Sequence, residues 1–281
     1  MTEKHYGGAS SFGSKTKQKT NVEESPKSAI KVKTTPYQDI NNSSDLNIEK
    51  LKQAGKIAKQ VSEYAKSIIK PSVLLLEIAE KIENKIHELK AEPAFPINLS
   101  INEIAAHSTP SYNDNTKAEG LLKIDIGVHI EGYVADTAFS LDLENNEQNK
   151  QLITSAEECL NEAIKITKHN TELGKIGDTI EKTALKHSTL PIHNLSGHEI
   201  KQYELHAGIT IPNYNNHQEI PLQEGIYAIE PFTTLSSASG AVKDGKPSGI
   251  YSLKKEGNAR DPTARKIIQY IIENYDTLPF C

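Results

Sequence analysis

Apolar side chains recur at intervals of three and four from Leu51 through Ala54, Ile57, Ala58, Val61, Ala65 and Ile68, which predicts an amphipathic helix. Asp45 or Asn47 is placed to cap it and Pro71 to end it. A second run of this period, Leu74, Leu75, Ile78, Ala79, Ile82 and Ile86, stops before Pro93. Residues 95–101 predict a strand, and residues 108–115 are a run of turn formers. Two more helical patterns cover about 146–168 and 176–187, followed by short strands at 192–195, 204–211 and 225–232. A Gly/Ser-rich loop from 236 to 249 precedes a last helix at 263–275. Helix pairs mixed with strands give an α+β class.

Between the two helix pairs the period changes to two. The stretch Lys123-Ile-Asp-Ile-Gly-Val-His-Ile-Glu-Gly-Tyr-Val-Ala-Asp-Thr-Ala138 predicts a β-hairpin turning at Glu131-Gly132. A two-residue turn pairs Asp125 with Ala138 and puts Asp136 on the same face as Asp125. A three-residue loop would separate the two carboxylates onto opposite faces. The other face, with Ile124, Ile126, Val128 and Ile130 against Tyr133, Ala135, Thr137 and Phe139, is built for burial. Two adjacent acids repel unless they are protonated or neutralised by a cation. Taken alone, such a pair more often marks a hairpin whose polar face simply meets water.

Composition narrows the field. The 281 residues suffice for a substantial core, and a net charge of -5 argues against nucleic-acid binding as the main activity. The sequence has neither a membrane-spanning run nor the apolar segment of a signal peptide. Cys159 and Cys281 are its only cysteines, which excludes a disulfide framework and a thiolate zinc site and favours the cytoplasm. Residues 1–46 are rich in Gly, Ser, Thr, Asn and Lys and are expected to be disordered. Their lysines, Lys15 to Lys33, raise contact with the ribosome surface as a candidate role, against a plain solvated tail.

Three further residues could join the aspartates. His198 and His206 lie in a segment flanked by Gly197 and Gly208, where backbone approaches closely rather than packing into a core. Glu230 follows the apolar Ile226-Tyr-Ala-Ile, and a carboxylate at the end of a buried strand needs a partner or an ion. The set Asp125, Asp136, His198 and Glu230 is oxygen-rich with one nitrogen, a donor set suited to Mn, Fe(II), Co or Zn. Several carboxylates with few imidazoles suggest two divalent ions sharing ligands, roughly 3.5–4 Å apart.

Four segments then make the chain resemble type 2 methionine aminopeptidases of the archaeal and eukaryotic kind: residues 93–107, 123–138, 194–208 and 227–232. The resemblance implies a pita-bread (creatinase/aminopeptidase) fold over residues 47–235, with 236–281 as the start of a type 2 helical insertion. It implies Asp125, Asp136, His198 and Glu230 as metal ligands and His107 and His206 as catalytic histidines that contact substrate. Phe95 would wall the pocket for the methionine side chain. The implied reaction removes the N-terminal methionine of nascent polypeptides when the second residue is small, using a metal-activated water. Neither DNA nor a membrane is an expected partner.

The chain also departs from the family pattern. The family's fifth ligand, a bridging Glu near the C-terminus, has no match, and Leu278-Pro-Phe-Cys281 falls inside the expected insertion. A truncated record, a second polypeptide supplying the missing C-terminal part, and a degenerate copy are the three expectations this leaves open. The fold also serves proline-specific peptidases, but these carry a large N-terminal domain that 46 residues cannot supply. A non-catalytic pita-bread binding protein, or an inactive fragment lacking the fifth ligand, is the alternative of a different class.

Overall fold

The computed structural model describes residues 47–254 and 259–281. The expectation of a disordered tail at 1–46 lies outside the described residues. Helix α1 (Ile48–Ile68) begins at Asn47, whose side chain accepts from the Lys50 N–H at 3.1 Å. Helix α2 spans Leu75–Glu88. Both lay apolar stripes onto a sheet formed by β1 (Glu92–Pro93), β2 (Asn98–Ile101), β3 (Leu121–Ile130) and β4 (Tyr133–Asp142).

Strand β3 is the spine of this half. It pairs antiparallel with β4 on one side, and with β1 and β2 end to end on the other. The turn has the two residues the pattern asks for, with φ of 49° at Glu131 and 82° at Gly132. Asp125 lies opposite Ala138, and Asp136 opposite Gly127. Ile57, Val61 and Ala65 of α1 bury the hairpin's apolar face against Ile124, Ile126 and Val128, all fully buried or nearly so. The carboxylates are therefore on the side of the sheet away from α1.

The strand expected over 95–101 is shorter than that. Pairing on this edge steps from Pro93↔Val128 to Asn98↔Asp125, so Ala94 to Ile97 oppose only Ile126 and Gly127. Pro96 cannot donate to a ladder, and the resulting bulge lifts Phe95 over Gly127.

The second half repeats the plan of a helix pair followed by strands. Helices α3 (Glu147–Ile166) and α4 (Leu173–Lys186) pack together around Cys159, Ala163, Ile176 and Ile180. They precede β5 (Thr189–Pro191), β6 (Ser196–Ile200), β7 (Thr210–Pro212), β8 (Ile226–Ala228) and β9 (Thr233–Leu235). Strand β6 is central between β7 and β8, and β5 pairs with β9. Residues 192–195 link β5 to β6 instead of forming a strand. Of 204–211 only the end is extended, and of 225–232 only Ile226–Ala228 is a strand, with β9 starting just beyond it.

Helix α5 (Pro262–Tyr275) starts at Asp261, whose carboxylate accepts from the Ala264 N–H at 2.9 Å, and has no fully buried residue. After it Leu278, 1 % exposed, enters a cluster with Ala94, Phe95, Val134, Ile200, Leu205 and Ala228. That cluster draws on both halves. The hairpin tip meets the second half there too: the Tyr203 N–H donates to the Gly132 carbonyl at 3.0 Å, and Gln202 Nε2 to the Glu131 carbonyl at 2.9 Å. Lys50 pairs with the Glu131 carboxylate from the other side.

Candidate metal centre

His198 is the middle residue of the middle strand of its sheet, opposite both Thr210 and Ala228. This placement buries its ring to 6 % exposure and aims it toward the carboxylate face of the hairpin. His198 Nε2 lies 2.9 Å from Glu230 Oε1 and 3.5 Å from Asp136 Oδ2. Glu230 reaches this point because it stands two residues beyond Ala228, in the extended segment leaving β8. Asp136, His198 and Glu230 each offer a ligand atom, all within 4.8 Å of one another. Asp125 is not part of this tight trio, but it is within hydrogen-bonding reach of Asp136.

The charges explain why this site wants a cation. Burial, and then the neighbouring Asp136 and Glu230, push the Asp125 carboxyl well above the usual carboxylate range. Burial likewise raises Glu230, against the pull of its hydrogen bond with His198. Burial alone would lower His198, but hydrogen bonds to Asp136 and Glu230 outweigh it and lift the imidazole to about 10. Three acids crowded around one imidazole are thus held together by protons, and divalent ions can take the place of those protons. Oxygen-rich donors with a single nitrogen match a hard or borderline metal. By donor chemistry and spacing these residues fit a divalent metal site.

The two remaining histidines lie at its margin. The His206 ring packs edge-on against His198, with centroids 4.3 Å apart. Burial of that side, helped by the charges of His198 and His107, lowers its imidazole to about 4. His107 stands in the turn after β2 at φ 57°, and its charge acts on both His206 and Glu230. Phe95 is 5 % exposed and lies against Gly127, which shares the sheet face of Asp125.

Two residues near the site were not legible in the sequence. Asn98 lies directly across from Asp125, 3 % exposed, and its Oδ1 has no hydrogen-bond partner while Nδ2 donates to the Pro96 carbonyl. An isolated Asn gives no sign until the bulge sets its register. Leu278 is the other, in a short Leu-Pro-Phe run beyond the last helix that carries no periodic signal.

Comparison with known proteins agrees with this geometry. The model of metallopeptidase family M24 matches residues 49–262. The chain is 47% identical over 239 residues to a methionine aminopeptidase of Pyrococcus abyssi, covering 84% of this chain and 80% of that protein. It is 45% identical over 235 residues to one of Methanocaldococcus jannaschii, covering 83% and 79% respectively. Among solved structures, methionine aminopeptidase from Thermotoga maritima superposes with a TM-score of 0.62 at 27% identity, covering 69% of this chain and 81% of that one. With its two helix-backed halves closing on one acidic site, the chain belongs to metallopeptidase family M24.

Proposed function

We propose that this chain is a methionyl aminopeptidase that removes the N-terminal methionine of newly made proteins whose second residue is small. Convergence of Asp136 from the hairpin with His198 and Glu230 from the second half carries this reading. Relatives at 47% and 45% identity favour methionine removal over the proline-specific chemistry that the same fold also serves. On this reading residues 47–235 form the catalytic domain and 236–281 begin the helical insertion. The cytoplasm, where such substrates arise, belongs to the same proposal.

Asp125, Asp136, His198 and Glu230 would hold the divalent ions, two in the full arrangement. When bound, these supply Lewis acidity that activates a water and polarises the scissile carbonyl. The three carboxylates favour a substrate end with a free amino group over a blocked one, which confines cleavage to the first residue. The apolar surface at Phe95 receives the methionine side chain next to the acids. His206, held neutral near pH 7 by its surroundings, keeps one ring N–H to donate to the oxyanion that develops on the carbonyl. His107, on the same side, steadies the substrate backbone.

The test is hydrolysis of Met-Ala-Ser beside an Xaa-Pro peptide, with Mn(II) or Co(II) added. Free methionine should appear, and Asp136→Asn should abolish its release. Preferential cleavage of the Xaa-Pro peptide would overturn the substrate assignment. Failure to bind either ion in calorimetry would favour the non-catalytic binding protein.

A further inference from the structure

The solvent face of α1 carries a stripe of lysines whose role is separate from the metal centre. Lys52, Lys56, Lys59, Lys66 and Lys70 are all exposed. At 100° per residue the four that lie within α1, Lys52 to Lys66, fall within an arc of roughly 80° along about 21 Å, and Lys70 follows two residues past the helix end. Residues 47–70 hold six lysines against two glutamates, in a chain whose net charge is -5.

The pairing of these lysines sets them apart. Both lysines of α2 and both of α3 are matched to a carboxylate three or four residues away. On α1, Lys66 pairs with Glu63 at 3.3 Å and Lys52 with Glu49 at 3.6 Å, whereas Lys56, Lys59 and Lys70 form no ion pair among the described residues. Like charges at i,i+3 and i,i+4 disfavour a helix. Lys52, Lys56 and Lys59 stand at those spacings. A regularly charged partner would turn the repulsion into attraction. At its far end the stripe borders an open groove of about 650 Å3 that Lys66, Lys70 and Lys150 line together with Asp142 and Glu144.

We propose that the lysine face of α1 docks on the phosphate backbone of structured RNA. Lysines spaced along some 21 Å of helix match a line of phosphates better than a compact anion, and contacts of this kind read charge and shape without sequence. Helix α1 covers the apolar side of the hairpin and the carboxylates occupy the other, so docking leaves the catalytic cleft free.

The test measures binding of the full chain to a mixed-sequence RNA duplex of about 16 base pairs as salt is varied. K56Q/K59Q/K70Q should weaken binding at least about fivefold at 100 mM salt and flatten the log–log salt dependence by roughly one unit per lysine. Hydrolysis of Met-Ala-Ser by this variant should be unchanged, and saturating duplex should not inhibit the parent chain. Such a result would stand even if the peptide assay pointed to another substrate. A control, K15Q/K17Q/K19Q in the full chain, should lose less than the helix variant. The proposal is overturned by no binding of the duplex, by a loss below fivefold, or by an equal or larger loss in the control. Inhibition of hydrolysis by RNA, or tighter binding to phosphatidylserine vesicles than to RNA, would overturn it as well.

Discussion

His198 Nε2 approaches Glu230 Oε1 to 2.9 Å while the same nitrogen lies 3.5 Å from Asp136 Oδ2, so one imidazole joins acids from both halves of the molecule. The arrangement has a direct consequence for metal uptake. Without an ion, His198 at about 10 is an imidazolium throughout the neutral range. A metal ligand must be neutral imidazole, so binding has to expel that proton. Mn(II) affinity should therefore rise roughly tenfold per pH unit between pH 6 and 8 for each proton displaced. Calorimetric titrations in two buffers of different ionisation enthalpy should differ by at least one proton per ion. Identical heats in both buffers would refute the assignment of His198 as a ligand.

His129 predicts a loss of stability in mild acid. The ring is 7 % exposed, and its Nδ1 accepts the Gly132 N–H at 3.0 Å. Burial lowers the imidazole to about 4. A base with a depressed folded-state pKa contributes nothing above its unfolded value near 6.5, and destabilises the fold as pH falls from there toward 4. Between pH 7 and 5 the cost is about 2 kcal/mol. Urea unfolding of the parent and of His129→Gln at both pH values isolates it: the difference between the two proteins should shift by about this amount. Parallel pH profiles would count against the prediction.

Gly127 keeps the room that Phe95 occupies. A Cβ there would stand 2.3 Å from Phe95 Cε1 and 2.9 Å from the Ala94 Cβ. Gly127→Ala should lower stability by about 1–3 kcal/mol through overpacking. It should also raise KM for Met-Ala-Ser more than it lowers kcat, because the ring moves while the acids stay. A fall in kcat with KM unchanged would mean that the ring does not meet the methionine side chain.

Leu278→Ala tests how firmly the last residues are seated. The side chain is 1 % exposed in a cluster that includes Phe95 and Ala228. Its removal should cost about 2–5 kcal/mol in denaturant unfolding. A cost below about 1 kcal/mol would show that the segment merely rests on the surface.

The hairpin was legible because its signal is dense: period-two alternation, a Glu-Gly turn and a buried face each specify the same register, and Asp125↔Ala138 follows. Helices α1 to α4 were legible for the similar reason that their apolar stripes persist over several turns. The second-half strands were not. Residues 192–195 are apolar enough for a strand, but Pro191 and the approach to Gly197 make them a connection. The segment 204–211 bends where His206 turns to meet His198, a tertiary demand with no periodic trace in the sequence. Burial of Leu278 and Asn98 depends on contacts made across the fold. The ligand candidates could be picked out by residue type and flanking glycines, but how closely they meet is set by the packing of the two halves.

The hairpin tip is anchored on each flank, by Lys50 at Glu131 and by Tyr203 packed over Gly132, where a Cβ would meet the Tyr203 ring at 2.3 Å. That end of the cleft is therefore pinned between the two halves. Asp136 lies only four residues beyond Gly132 along β4, so its approach to His198 depends on this anchorage. A side chain at Gly132 would have to displace the Tyr203 ring, and so would loosen the approach of the two halves without touching a single ligand.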